Sequence, residues 1–153
     1  RDRFETLRKL LAAESPEKAI VFINNSTELQ NINEKLDYHK VKSTAIFGNA
    51  SKEQRQRSIE AFRNGKFNVL VSSDVSARGL DIPEVTHIIS MDFPENPDEY
   101  LHRAGRTARG NLSGSSICIG TRRDLDAIKS YQKAFKIKFT EMKLYGGNLI
   151  PVK

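Results

Sequence analysis

Residues 69–81 read VLVSSDVSARGLD, in which a short apolar run passes directly into small and polar residues. The run at 69–72 has the length and the β-branched content of a strand that is buried on both faces. In open parallel sheets, ligands bind beyond the carboxyl ends of such strands. Small residues at that position let backbone amides approach a phosphate chain closely, so this loop is a candidate binding site.

Similar apolar runs recur along the chain, separated by segments of helical period. The predicted strands are 19–23, 44–47, 69–72, 87–90 and 115–119. The predicted helices are 3–13, 26–36, 52–64, 97–108 and 123–135, with Ser51 and Asn96 as candidate N-caps. This alternation predicts an α/β fold in which helices cover both faces of a mostly parallel sheet of fully buried strands.

Length and charge narrow the class of protein. The chain has 153 residues, of which 38% are apolar, which predicts one domain over 1–153. The segment 138–153, with its Gly-Gly pair and proline, is expected to be a less regular strand or tail. With 25 Lys and Arg against 19 Asp and Glu, the net charge of +6 favours nucleic acid, phosphates or acidic surfaces as partners.

The sequence also indicates a compartment. The single cysteine, Cys118, cannot form an internal disulfide and is expected to be buried in a strand. No run approaches the roughly 18 apolar residues that cross a bilayer, and the first residues show no signal-peptide pattern. We therefore expect a cytoplasmic, reducing environment and no membrane partner.

Residues 100–109 read YLHRAGRTAR and concentrate cationic side chains on one predicted helix. On a helical wheel, His102, Arg106 and Arg109 lie within about 60° of each other, while Arg103 points elsewhere. Like charges at this spacing cost a few tenths of a kcal/mol per pair, so the pattern favours an anion opposite them. A guanidinium pair suits a transferring phosphoryl group. The alternative is an arginine-rich helix paired with surface carboxylates.

These segments resemble conserved motifs of the DEAD-box RNA helicases. Residues 73–81 are similar to motif V and residues 102–109 to motif VI. Weaker resemblances are those of 19–26 to motif IV, of 47–65 to the region of motif IVa, and of 85–94 to motif Va. The resemblance implies a RecA-like three-layer α/β/α sandwich for residues 1 to about 140. It also implies the C-terminal half of an ATP-dependent RNA helicase.

The resemblance further implies a role for each matching residue. Arg106 and Arg109 would reach the γ-phosphate of ATP, and His102 would couple the two halves of the helicase. Asp81 would contact the ATP ribose, although capping a local turn is nearly as good an explanation for it, and Gly79 would be a second nucleotide-binding residue. The residues expected to contact RNA are Asn24, Gly48, Arg55, Ser73 and Arg78. ATP and Mg²⁺ would be held mainly by an N-terminal RecA-like domain.

Four positions depart from the family pattern. They are Phe47 for histidine, Lys52 for the glutamine of motif IVa, Ser73 for threonine and Ala108 for the second glycine of motif VI. Ser73 keeps its hydroxyl and Ala108 stays small. Lys52 replaces a neutral group by a cation, and the sequence gives it no role.

The sequence contains neither a Gly-x-x-x-x-Gly-Lys-Ser/Thr loop nor an Asp-Glu-Ala-Asp run. Alone, the chain is therefore expected to hydrolyse ATP negligibly. It is also expected to be monomeric. In a full-length protein, closure onto the other half would complete the ATPase site and an RNA groove. Two alternatives remain: a DNA helicase of the same superfamily, and a stand-alone RNA-binding adaptor.

Overall fold

A computed structural model describes residues 3–77, 82, 84–93, 103, 114–135 and 138–152. The chain divides into two compact units, Pro16–Cys118 and a second that combines Arg1–Ser15 with Ile119–Lys153. The expectation of one domain over 1–153 stays a prediction. In the described part of the chain, no helix is long and apolar enough to span a membrane.

Among the described residues, helices and strands alternate over 3–90, as the sequence predicts. The helices are α1 (Arg3–Glu14), α2 (Ser26–Tyr38), α3 (Lys52–Arg63), α4 (Asp74–Ala77) and α5 (Leu125–Phe135). The strands are β1 (Ala19–Phe22), β2 (Ser43–Ala45), β3 (Val69–Ser72), β4 (His87–Ser90), β5 (Ser115–Cys118), β6 (Met142–Tyr145) and β7 (Asn148–Pro151). A 3₁₀ turn at Arg122–Asp124 precedes α5, so that this helix begins two residues later than predicted.

The unit Pro16–Cys118 is built on a five-stranded sheet of order β2-β3-β1-β4-β5. Every neighbouring pair in it is parallel, which confirms the predicted α/β class. Strand β1 lies at the centre, where Phe22 is level with Ser72 of β3 and Ser90 of β4. The three central strands therefore end at the same edge of the sheet.

Burial separates the central strands from the outer ones. Every residue of β1 and β3 is buried, as predicted, because each has a strand on both sides. The prediction of full burial is wrong for β2 and β5, which are only half-buried or exposed. Cys118 is accordingly half-buried rather than buried. Both strands lie at sheet edges, where one side has no neighbouring strand to cover it.

Helix α3 begins at a capping box. The Ser51 hydroxyl accepts a hydrogen bond from the Gln54 amide at 3.1 Å. In return the Gln54 side chain accepts one from the Ser51 amide at 2.9 Å. Two amides that would otherwise lack partners are satisfied, which fixes the first turn of the helix and Arg55 within it.

Replacing Ser51 by alanine should lower the free energy of unfolding by about 1 kcal/mol, because it removes this cap. Urea unfolding of the wild-type chain and of Ser51→Ala measures the difference. Ser51→Asp is the matched control, since aspartate caps as well as serine and should stay within about 0.5 kcal/mol of wild type. Equal stability of all three proteins would contradict the cap assignment.

The second unit contains a β-hairpin where a less regular strand or tail was expected. Strands β6 and β7 pair antiparallel, with Tyr145 opposite Asn148. The two residues between them, Gly146 and Gly147, have φ angles of 58° and 81°. Positive φ at both positions is the geometry of a type I′ hairpin turn, which glycine adopts without strain. Both strands contact α1.

Candidate nucleotide and nucleic-acid interface

Polar residues follow each of the three central strands. Asn24 comes just after β1, Asp74 after β3 and Asp92 after β4. Parallel pairing continues past the strand ends, because the Ile23 amide donates to the Ser72 carbonyl at 2.9 Å and the Met91 amide to the Phe22 carbonyl at 3.0 Å. These polar side chains therefore meet at the edge where ligands of parallel sheets bind.

Asn24 is joined to both carboxylates. Its Nδ2 donates to Asp74 Oδ2 at 2.8 Å, and its Oδ1 accepts from the Asp74 amide at 2.9 Å. The Asn24 amide donates to Asp92 Oδ2 at 2.9 Å. The predicted RNA contact of Asn24 stays a prediction. The carbonyl oxygen and one N–H of its side chain already bind Asp74.

Arg103 completes this arrangement from a buried position. Only 2% of its side chain is exposed. Nε and Nη2 each donate to one oxygen of Asp74 at 2.7 Å, and Nη1 donates to the Asp92 carbonyl at 2.5 Å. The guanidinium also lies 5.2 Å from the centre of the Phe22 ring. We call Asn24, Asp74, Asp92 and Arg103 the strand-end cluster.

Within the strand-end cluster, Arg103 and Asp74 form a buried, hydrogen-bonded ion pair rather than a surface one. The Asp74 side chain is 10% exposed, and both of its oxygens accept from Arg103. Removing either charge alone would leave the other desolvated, a loss of about 3–5 kcal/mol. Because Asp74 already binds Arg103 and Asn24, its carboxylate does not fit the role of a Mg²⁺ ligand. Within the described ranges, no group of three or more acidic, His or Cys side chains could hold a metal ion.

Two predicted RNA contacts, Arg55 and Ser73, meet beside this cluster. The Ser73 hydroxyl accepts from the Ser76 amide at 3.1 Å and so caps the short helix α4. Arg55 Nη2, from α3, donates to the Ser76 carbonyl at 2.9 Å. The structure therefore brings two side chains that are 18 positions apart in sequence to the backbone of one residue, Ser76.

Gly48 lies in the exposed loop after β2. A Cβ atom added there would meet no heavy atom within 4 Å, so packing does not require glycine. Its neighbours Phe47 and Asn49 line, together with Arg55, a cleft of about 740 Å³. The loop and the first turn of α3 thus border one open space.

Six predicted site residues lie outside the described residues, and their roles stay predictions. They are Arg78, Gly79, Asp81, His102, Arg106 and Arg109. The predicted helix 97–108 also lies outside, except for Arg103, which is helical. The sequence separated Arg103 from the anion-facing arginines but gave it no partner. The sequence did contain a signal for that partner. An acidic residue stands two positions after the end of each of two central strands, Asp74 after β3 and Asp92 after β4.

Known proteins resemble this chain over most of its length. A family model described as the helicase conserved C-terminal domain matches residues 2–111. The DEAD-box ATP-dependent RNA helicase CshC of Bacillus cereus is 35% identical over 136 residues, which cover 89% of this chain and 35% of CshC. CshA of Bacillus subtilis, described in the same words, is 36% identical over 143 residues, which cover 94% of this chain and 29% of CshA. The chain thus spans about a third of the length of these curated relatives.

Solved structures share the fold. The C-terminal domain of the DEAD-box protein Dbp5 matches with a TM-score of 0.82 and 28% identity, over 90% of this chain and 81% of that one. Escherichia coli SrmB, solved bound to the regulator of ribonuclease activity A, matches with a TM-score of 0.78 and 30% identity, over 89% and 79%. Saccharomyces cerevisiae Dbp5 bound to RNA and ADP BeF3 matches with a TM-score of 0.82 and 28% identity, over 90% and 37%.

Proposed function

The chain belongs to the helicase conserved C-terminal domain family, in its DEAD-box branch, and from that membership we propose that it works as one half of an ATP-dependent RNA helicase. Its fold is the RecA-like α/β sandwich of that family. The observation that carries the proposal is the family match over residues 2–111, which includes both residues 73–81 and residues 102–109. The other half would be an N-terminal RecA-like domain of the same protein.

In this proposal the chain completes an ATPase site when the two halves close. Arg106 and Arg109 reach the γ-phosphate and His102 couples the halves. Asp81 contacts the ribose, and Gly79 is a second nucleotide-binding residue. Arg103 supports this placement, because its guanidinium is bound at the strand ends and Arg106 follows only three residues later. The N-terminal RecA-like domain holds ATP and Mg²⁺, since the sequence of this chain contains neither the phosphate-binding loop nor the Asp-Glu-Ala-Asp run.

The same closure completes an RNA groove, to which this chain contributes one wall. Support comes from Arg55 and Ser73, which both hydrogen-bond to the backbone of Ser76, and from the nearby open loop at Gly48. Asn24 and Arg78 would extend the wall. Such contacts go to phosphates and 2′-hydroxyls and carry little sequence preference. Closure on both ligands would couple ATP hydrolysis to local duplex unwinding or to remodelling of RNA–protein complexes.

Arg55→Ala in the full-length protein should weaken single-stranded RNA binding about tenfold. The slope of log K against log salt should become less negative by about 0.7, because one phosphate contact is lost. Fluorescence anisotropy across a salt series measures both quantities. Arg63→Ala is the control, since Arg63 lies on the same helix in an exposed pair with Glu60. An unchanged salt slope in a folded Arg55→Ala protein would remove Arg55 from the groove.

The two alternatives differ in what stimulates turnover. ATP hydrolysis by the full-length protein should rise with RNA and not with DNA of the same sequence. Equal stimulation by DNA would favour a DNA helicase, and no turnover with either polymer would favour a stand-alone adaptor. Both of those outcomes contradict the proposed function.

A further inference from the structure

We propose that Arg103 is a positioning residue for ATP hydrolysis, which fixes the segment carrying Arg106 and Arg109 by pairing with Asp74 at the strand ends. The inference rests on the proposed function, because it assigns Arg103 a task within that ATPase site. Arg103 itself would touch neither ATP nor RNA, since its guanidinium is buried against protein groups.

The contact geometry suits positioning. A planar guanidinium that donates to both oxygens of one carboxylate has its distance and its plane fixed together. Arg103 does this with Asp74 and uses a third N–H on the Asp92 carbonyl. A lysine at this position would keep the charge but provide a point contact with freedom to rotate.

Asp74, the carboxylate that binds Arg103, is itself held by residues that follow several strands. Asp74 starts α4 just after β3 and is bound by Asn24 from the end of β1, while Asp92 follows β4. A buried ion pair contributes little net stability relative to apolar packing, and its best-supported benefit is a unique arrangement of the groups around it. The strand-end cluster thus ties Arg103 to the same strand ends that carry the predicted RNA contacts.

Arg103 is close enough in sequence to Arg106 for its contacts to restrict the position of Arg106. Three residues of chain span at most about 11 Å, so the position of Arg103 limits where Arg106 can go. Displacement of a catalytic group by about 1 Å can cost on the order of 100-fold in rate. Loss of the bidentate contact between Arg103 and Asp74 should therefore lower the rate of ATP turnover, because Arg106 and Arg109 are displaced. The affinity for RNA should stay nearly unchanged.

The test is a double-mutant cycle in the full-length protein, measured as single-turnover ATP hydrolysis at saturating RNA. Arg103→Lys should lower the rate at least about tenfold in the wild-type background, because the fork is lost. In the Arg106→Ala background the same change should lower it by a clearly smaller factor, no more than about threefold, because only Arg109 is then left to be positioned. Single-stranded RNA affinity without nucleotide should stay within about threefold of wild type.

Two further variants complete the design. Arg63→Lys is the matched control, since it alters an exposed arginine–glutamate pair and should leave the rate unchanged. If Arg103→Lys does not fold, Asp74→Asn replaces it in the cycle. This change keeps the size of the side chain but removes the charge and one of the two oxygens that accept from Arg103, so it should slow hydrolysis about threefold to tenfold with the same non-additivity.

An unchanged rate in a folded Arg103→Lys protein would overturn the inference, as would equal losses in the two backgrounds. A parallel loss of RNA affinity and rate would also overturn it, because the residue would then act through RNA binding. Failure of the proposed function looks different: Arg106→Ala itself would then turn over ATP at the wild-type rate.

Discussion

Arg106→Ala should lower RNA-stimulated ATP turnover of the full-length protein by at least about 100-fold, which corresponds to roughly 3 kcal/mol of transition-state stabilisation. The transferring phosphoryl group spreads negative charge over its equatorial oxygens, and a guanidinium placed there stabilises the transition state more than the ground state. The loss should therefore appear in kcat rather than in KM for ATP.

Steady-state turnover at saturating RNA measures this effect. Arg123→Ala, which removes an exposed arginine at the 3₁₀ turn before α5, is the control and should turn over ATP normally. Arg106→Lys separates charge from geometry and should recover only part of the rate, since an ammonium lacks the planar fork. Wild-type turnover by Arg106→Ala would remove the arginine-finger assignment and favour an RNA-contacting module.

Arg103→Ala should lower the free energy of unfolding of the chain by about 3–5 kcal/mol, because it leaves the buried Asp74 carboxylate without its charge partner. Asp74 is 10% exposed, so its carboxylate is largely shielded from bulk water when the two hydrogen bonds from Arg103 are lost. The truncation also removes the guanidinium that lies over Phe22. Urea unfolding followed by far-UV circular dichroism measures the change.

A surface pair provides the comparison. Arg63→Ala breaks an ion pair with Glu60 in which both side chains are more than a third exposed, and should cost less than about 1 kcal/mol. The double variant Asp74→Leu with Arg103→Met should be more stable than Arg103→Ala, because no unpaired charge remains buried. Equal losses of unfolding free energy from the buried and the exposed pair would contradict the description of Arg103 and Asp74 as a buried ion pair.

The elements of this fold could be predicted from local sequence, but their order across the sheet could not. Short β-branched runs identified β1, β3 and β4, and Ser51 identified the start of α3. The alternation does not say which strands lie at the edges. That is why β5, with Ser115 and Ser116 exposed, was expected to be buried.

For the candidate site, too, local features could be predicted from the sequence, whereas contacts between distant residues could not. A helical wheel separates Arg103 from the other arginines because side-chain direction follows from residue spacing. It cannot show what Arg103 faces. Asp74 is 29 residues away from it, and Asn24 is 50 residues from Asp74. Contacts over such separations arise from the parallel register of β1, β3 and β4, which only the folded sheet fixes.

The hairpin β6–β7 shows a missed local signal. Gly-Gly between two short runs favours a two-residue turn, yet Pro151 and the loss of periodicity in the sequence suggested a less regular strand or tail. The φ angles of Gly146 and Gly147 supply the reason, since a type I′ turn needs two positive values in succession.

The proposal that this chain completes an ATPase site is tested most directly by a structure of the full-length protein with RNA and a non-hydrolysable ATP analogue. We expect the Arg106 guanidinium at about 2.7–2.9 Å from a γ-phosphate oxygen, with Arg103 still paired to Asp74. A closed complex in which other residues contact the γ-phosphate and Arg106 lies away from it would contradict the proposal.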